Sequence, residues 1–124
     1  MKNLFVTIVV TLLTTLSAAA QDLTLHVSGT VLSNYDTHAV IAIDKETKYD
    51  IFMSFTNKVA VIEKYYGGPL ALEMISRTVQ SDGVIAIMCK DVNGNSYKIA
   101  IDTDTSLAIH DYKRRVSMSV RFSY

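Results

Sequence analysis

Apolar and polar residues take turns two by two along most of this chain. Leu23, Leu25, Val27 and Gly29 interleave with Thr24, His26, Ser28 and Thr30, the period of a strand with one face buried. The same rhythm, or a short apolar run bounded by turn residues, recurs over residues 40–43, 49–55, 59–66, 84–90, 97–101, 107–110 and 116–124. Residues 68–77 are ambiguous, because Pro69 could open a helix and strong helix formers follow it. Leu70, Leu72 and Met74 nevertheless alternate, and both neighbouring segments read as strands, so this stretch is expected to be a strand as well. Eight or nine short strands joined by polar turns predict an all-β domain, a small antiparallel meander. So many twisted strands avoid long exposed edges by curling shut. A closed barrel of lipocalin-like size is therefore the expected architecture, with a two-sheet sandwich as the alternative.

The stretch Asp91-Val92-Asn93-Gly94-Asn95-Ser96 reads either as the start of a calcium loop or as a hairpin. An EF-hand loop needs glycine at its sixth position and a bidentate glutamate at its twelfth. Here Ser96 is sixth and Gly94 fourth, and Tyr97 to Ile101 alternates like a strand where a helix should begin. Asn-Gly is a strong signal for a two-residue type I′ turn. Such a turn sets Val92 opposite Asn95, Lys90 opposite Tyr97, Met88 opposite Ile99 and Ala86 opposite Ile101. The predicted core face of this ribbon is then Val84, Ala86, Met88, Val92, Tyr97, Ile99 and Ile101. A weak internal echo, Ile43-Asp44-x-Glu46-Thr47 and Ile101-Asp102-x-Asp104-Thr105, is explained by shared turn chemistry, since an aspartate at the head of a turn accepts from the backbone two residues on.

The first twenty residues stand apart from this pattern. Lys2 is followed by an uncharged apolar run from Leu4 to Leu16 and by Ser17-Ala18-Ala19-Ala20, the layout of a secretory signal cleaved between Ala20 and Gln21. Removing those 20 of the 124 residues leaves 104, enough for one domain over residues 21–124. It also removes Lys2, leaving eleven basic against twelve acidic residues. That near-neutral balance has no clustered cationic surface, so nucleic acid is not an expected partner. Lys113-Arg114-Arg115 is the densest basic run, and between two strands it reads as a solvated turn. The single cysteine, Cys89, lies in the apolar run Val84 to Cys89. It is expected to be a buried thiol, neither half of a disulfide nor a nucleophile.

Chemistry is sparse. The motifs of serine hydrolases, zinc proteases and phosphate-binding loops are missing from the sequence, and His26, His38 and His110 show no ligand spacing. No catalytic residue, metal site or cofactor is expected. Lys64-Tyr65-Tyr66-Gly67-Gly68-Pro69 is the segment that invites a function, because Tyr65 and Tyr66 on a glycine-rich turn are suited to ligand or partner contact. Alternation sends the two rings to opposite faces, so one of them is equally readable as core.

The last strand, with Val116, Met118, Val120, Phe122 and Tyr124 against Ser117, Ser119, Arg121 and Ser123, resembles the closing strand of a bacterial outer-membrane barrel. That resemblance covers this strand alone and implies apolar residues facing lipid. The expectation overall is a soluble exported β-domain, periplasmic or extracellular in a bacterium and off the membrane once processed. It binds an unknown small apolar molecule or a protein and catalyses nothing. An eight-stranded outer-membrane barrel, a secreted enzyme inhibitor and an exported enzyme with a dispersed site are the alternatives.

Overall fold

The computed structural model describes residues 22–66, 68–102 and 105–124. The expected signal segment and its cut at Ala20–Gln21 lie outside the described residues. Among the described residues nine strands follow one another: β1 Asp22–Asn34, β2 Val40–Asp44, β3 Tyr49–Ser54, β4 Val59–Tyr65, β5 Gly68–Val79, β6 Ile85–Lys90, β7 Ser96–Ile101, β8 Ser106–Asp111 and β9 Val116–Ser123. All neighbours are antiparallel, and β9 returns to pair with β1. β1 and β3 to β9 thus form a closed eight-stranded barrel with β2 as an extra strand. The Pro69 segment is strand, as expected from the strands on either side of it.

The meander is modified at its start. β1 is 13 residues long, so one of its edges holds two short partners in succession. Asp22 to Val27 pairs with β3, and Thr30 to Ser33 pairs with β2. The chain breaks from one partner to the other at Asp44, whose carboxylate accepts from Glu46 N at 3.1 Å, the local turn chemistry expected of that aspartate.

Alternation decides what fills the barrel. Leu25, Ile51, Met53, Ile62, Ile87, Ile99 and Leu107 are all fully buried inside it. Burying side chains of this size stabilises by roughly 1.5–3 kcal/mol each, so the interior is the principal source of stability. In β9, Val116, Met118, Val120 and Phe122 are buried while Ser119, Arg121 and Ser123 are exposed. The apolar set of this strand therefore points inward, the reverse of the arrangement that a lipid-facing strand needs.

The β6–β7 hairpin corrects the predicted register by one residue. Ile85, Ile87 and Cys89 face Ile101, Ile99 and Tyr97, and these six are the core face. Ala86 and Met88 belong to the other face, and Val92, predicted to be core, is 91% exposed. The loop has three residues instead of two. Gly94 N donates to Asp91 O and Asp91 N to Asn95 O, both at 3.0 Å, and Gly94 takes φ +84°. This is a type I turn closed by a left-handed glycine. Asp91 selects it: its carboxylate accepts from Asn93 N and Asn95 N, each at 2.9 Å, from Asn95 Nδ2 at 3.0 Å and from the Tyr97 hydroxyl at 3.2 Å. The β5–β6 turn repeats the design, with Gly83 at φ +88° and the same two backbone bonds between Gln80, Gly83 and Val84.

A second turn type occurs three times among the described residues. Asn34, Ser54 and Asp111 each stand at the head of a turn and accept from backbone amides two or three residues on. Four residues after each head, His38, Lys58 and Arg115 adopt φ between +56° and +62°. A side-chain oxygen at the first position and a left-handed residue at the last bring two strands back into register.

Candidate functional site

The turns β1–β2, β4–β5, β6–β7 and β8–β9 meet at one end of the barrel, and five of the seven tyrosines gather there: Tyr35, Tyr65, Tyr66, Tyr97 and Tyr112. Tyr65 is buried, and its hydroxyl donates to Asp111 Oδ2 at 2.5 Å. Its ring meets Tyr66 edge-on at 4.8 Å and Tyr97 at 6.4 Å. Tyr66, at φ +47°, is half exposed and turned outward. The two residues predicted together for contact thus divide: Tyr65 is part of the interior, and Tyr66 is the surface ring.

The β8–β9 turn supplies what sequence reasoning missed. Arg114 lies over the Tyr66 ring at 4.1 Å, with its Nε 3.6 Å from Asp111 Oδ2. Arg115 lies over the Tyr35 ring at 4.6 Å and forms an ion pair with Asp36. Tyr35 in turn meets Tyr112 and His110 edge-on, each at 5.5 Å. The basic run is an exposed turn between two strands, as expected, and two of its three cations, with side chains 52% and 48% exposed, also lie over aromatic rings. The signal was available in outline. Asn34-Tyr35 and Asp111-Tyr112 each place a tyrosine directly after a turn head, which puts both rings at one end of the barrel once the turns are recognised.

The remaining histidines do not converge. His26 Nδ1 is 2.8 Å from Asp50 Oδ1 on the outer wall, His110 Nδ1 is 2.7 Å from Ser117 Oγ, and His38 sits in the β1–β2 turn. Among the described residues, no group of three or more histidine, cysteine or acidic side chains could hold a metal ion.

Protonation follows the packing. The hydrogen bond from Arg115 holds the Asp36 carboxyl below its ordinary range. Burial pushes Asp91 upward, but hydrogen bonds from Asn95, Asn93 and Tyr97 outweigh it and leave that carboxyl low. Burial first, and then Lys98, pull His110 down. Burial pushes the Cys89 thiol up to about 12, so it remains protonated and unreactive, as its apolar surroundings predict.

Tyr97 is also pushed up to about 12, by burial and then by Asp111 and Asp91. Tyr65, Tyr49 and Tyr112 rise too, in each case chiefly through burial. Between the ordinary tyrosine value of about 10 and these raised values, the folded protein keeps protons that the unfolded chain releases. Stability contributed by these groups is intact below about pH 9 and falls as pH rises through about 10. Urea midpoints should be level from neutrality to about pH 8.5 and decline steadily above about pH 9.5. A midpoint unchanged up to pH 11 would contradict the burial of these rings.

A crevice of about 190 Å³ opens beside Tyr66, lined also by Tyr65, Lys64, Tyr49, Thr30 and Leu32. Two larger open crevices, of about 380 and 600 Å³, lie along β5 and across β1, β2 and β9. Comparison of the chain with protein-family models, with curated proteins and with solved structures returned no match.

Proposed function

We infer that this protein is an exported, non-catalytic β-barrel that binds a protein partner through its tyrosine- and arginine-bearing end. The reading is carried by the stacking of Arg114 and Arg115 on Tyr66 and Tyr35, while the barrel interior is already occupied by side chains. Tyrosine and arginine are, with tryptophan, the residues enriched where a few contacts supply most of the binding energy. Here they are held in place before any encounter, which lowers the ordering cost of association. An apolar ligand inside the barrel would have to displace Ile51, Ile87 and Ile99, each with no exposed surface, so the interior offers weaker support for small-molecule binding. The inward apolar face of β9 favours an aqueous compartment over lipid, and the signal-like segment before residue 21 supplies the route of export.

The immobilised chain should retain one predominant protein from the exported fraction of its source cells. Retention should fall about tenfold or more for Tyr66→Ala and for Arg115→Ala, at unchanged melting temperature. Retention undiminished from wild type in both variants would overturn the reading, as would a stoichiometric apolar molecule released from the purified barrel. Tyr65 is unsuitable for this test, because a change there removes a buried hydrogen bond and reports on folding.

A further inference from the structure

We propose that the crevice beside Tyr66 is a binding site for a single phenol ring, and that the ring is a tyrosine side chain of the protein partner. The second part rests on the proposed binding role of the tyrosine- and arginine-bearing end. The crevice exists because the barrel wall is incomplete there. β3 pairs with β1 only as far as Val27, and with β4 only from Val59 to Ile62. Beyond those points β2 takes over the edge of β1, while β4 shifts register between Ile62 and Tyr65, opposite Pro69. A bulge bends the strand that carries it, and a proline opposite cannot donate to the ladder. Among the described residues no backbone pairing joins β2 to β4. The space between them therefore opens sideways onto Leu32 and Met118, which pack with the barrel interior.

The chemistry of the lining selects the ligand. The space of about 190 Å³ exceeds the roughly 150 Å³ that holds a benzene ring, so it takes one ring and little more. Two hydroxyls line the same space. Tyr49 is 6% exposed, its hydroxyl oxygen lies 3.3 Å from Thr30 Oγ1, and it donates to Met118 Sδ at 3.9 Å. A thioether is a weak acceptor, so this pair holds a hydrogen that a better acceptor would draw and lone pairs that a donor would reach. A phenol oxygen serves both, accepting one bond and donating another. An indole N–H only donates, and a plain hydrocarbon ring does neither. At the rim Asp44 and Lys64 contribute one charge of each sign, which favours an uncharged occupant over an ion. A free phenol gripped on one side, with about eight heavy atoms, binds only in the millimolar range. As one residue of a larger surface it adds to the contacts of Tyr66, whose ring belongs both to the crevice and to the arginine-stacked end.

Titration of p-cresol, the tyrosine side chain as a free molecule, into the isotope-labelled protein tests the site without any partner. The NMR signals of Thr30, Leu32 and the Met118 methyl should shift saturably, with a midpoint in the millimolar range. Toluene should bind about fivefold or more weakly, and so should p-cresol to Thr30→Val and Tyr49→Phe, both of which should keep the β-sheet circular dichroism spectrum. Saturating p-cresol should also release the partner from the immobilised chain, and toluene at the same concentration should not. An absence of saturable shifts at these residues overturns the proposal. So does equal affinity for toluene and p-cresol, or full p-cresol affinity in both variants. Binding of p-cresol in the crevice that leaves the partner in place overturns the partner's tyrosine as the source and assigns the site to a free phenol. Retention undiminished in Tyr66→Ala and Arg115→Ala instead overturns the binding role of the end itself, a separate result because the titration needs no partner.

Discussion

Val120→Arg should abolish folding, while Ser119→Arg, one residue away, should shift the melting temperature by only a few degrees. Val120 is 2% exposed and pairs with Thr30 on β1 and Leu107 on β8. An arginine there must either enter an interior packed with isoleucine and leucine or force β9 off its neighbours. An uncompensated buried charge costs several kcal/mol even after relaxation, and β9 also closes the barrel against β1, so its loss opens two ladders at once. About 4 kcal/mol or more is a large part of the stability of a domain this size. Ser119 lies on the opposite face, paired with Ala108 and Val31, where a long cationic side chain reaches water. Thermal unfolding in detergent-free buffer checks all three chains. A wild type that folds only in detergent, or damage greater at Ser119 than at Val120, would reverse the assignment of inside and outside and revive the lipid-facing arrangement.

That assignment explains which parts of the structure were legible in the sequence. Period-two alternation is a local property, so strand existence followed from it, while the strand at Pro69 followed from the strands on either side and closure from the number of strands whose edges had to be covered. Alternation alone gives two faces without saying which is inside, and the end of β9 reads equally well as a lipid face until the rest of the barrel supplies its own apolar face. Register failed where one residue decides it. At Asp91 the Asn-Gly pair favours a two-residue turn, but four hydrogen bonds to one carboxylate outweigh that preference and lengthen the loop by one. The error moved Ala86, Met88 and Val92 to the wrong face together, as a one-residue slip must.

The site was less legible than the fold because its residues are brought together by closure of the barrel. Tyr35 and Arg115 are 80 positions apart in sequence and touch because β1 pairs with β9. The glycine-rich turn after Tyr66 drew attention to one tyrosine that is exposed, but not to the arginine that covers it. The turn heads hold the missing information, since Asn34 and Asp111 fix where the following tyrosines stand. Tyr35 and Tyr112, with Arg114 and Arg115, are displayed by turns whose geometry is set by Asn34 and Asp111 within the chain itself.

Asp111→Ala tests that dependence and should cost about 2–4 kcal/mol, because a buried hydroxyl and two turn amides lose their acceptor. Asp111 is 1% exposed, and its carboxylate accepts from the Tyr65 hydroxyl, from Lys113 N at 3.1 Å and from Arg114 N at 3.0 Å, with Arg114 Nε close by. Alanine leaves a buried hydroxyl without its acceptor, two turn amides without theirs and Arg114 without its anion. Asp111→Asn keeps an acceptor for the amides and should cost about 1–2 kcal/mol, since charged hydrogen bonds exceed neutral ones by roughly that amount. Tyr65→Phe removes the hydroxyl alone. Combined with Asp111→Ala, it should cost about 1–2 kcal/mol less than the two single changes added together, because the first change removes the partner that the second leaves stranded. Urea denaturation of the four proteins measures the cycle. Additive costs would show that Tyr65 and Asp111 do not share the bond, and a loss below about 1 kcal/mol for Asp111→Ala would show that the turn does not rely on its head. The same variant should release Arg114 from Tyr66. Under the proposed function, partner retention should therefore fall in Asp111→Ala even where the barrel still folds, and recover in Asp111→Asn, because Asp111 fixes the turn that holds Arg114 over Tyr66.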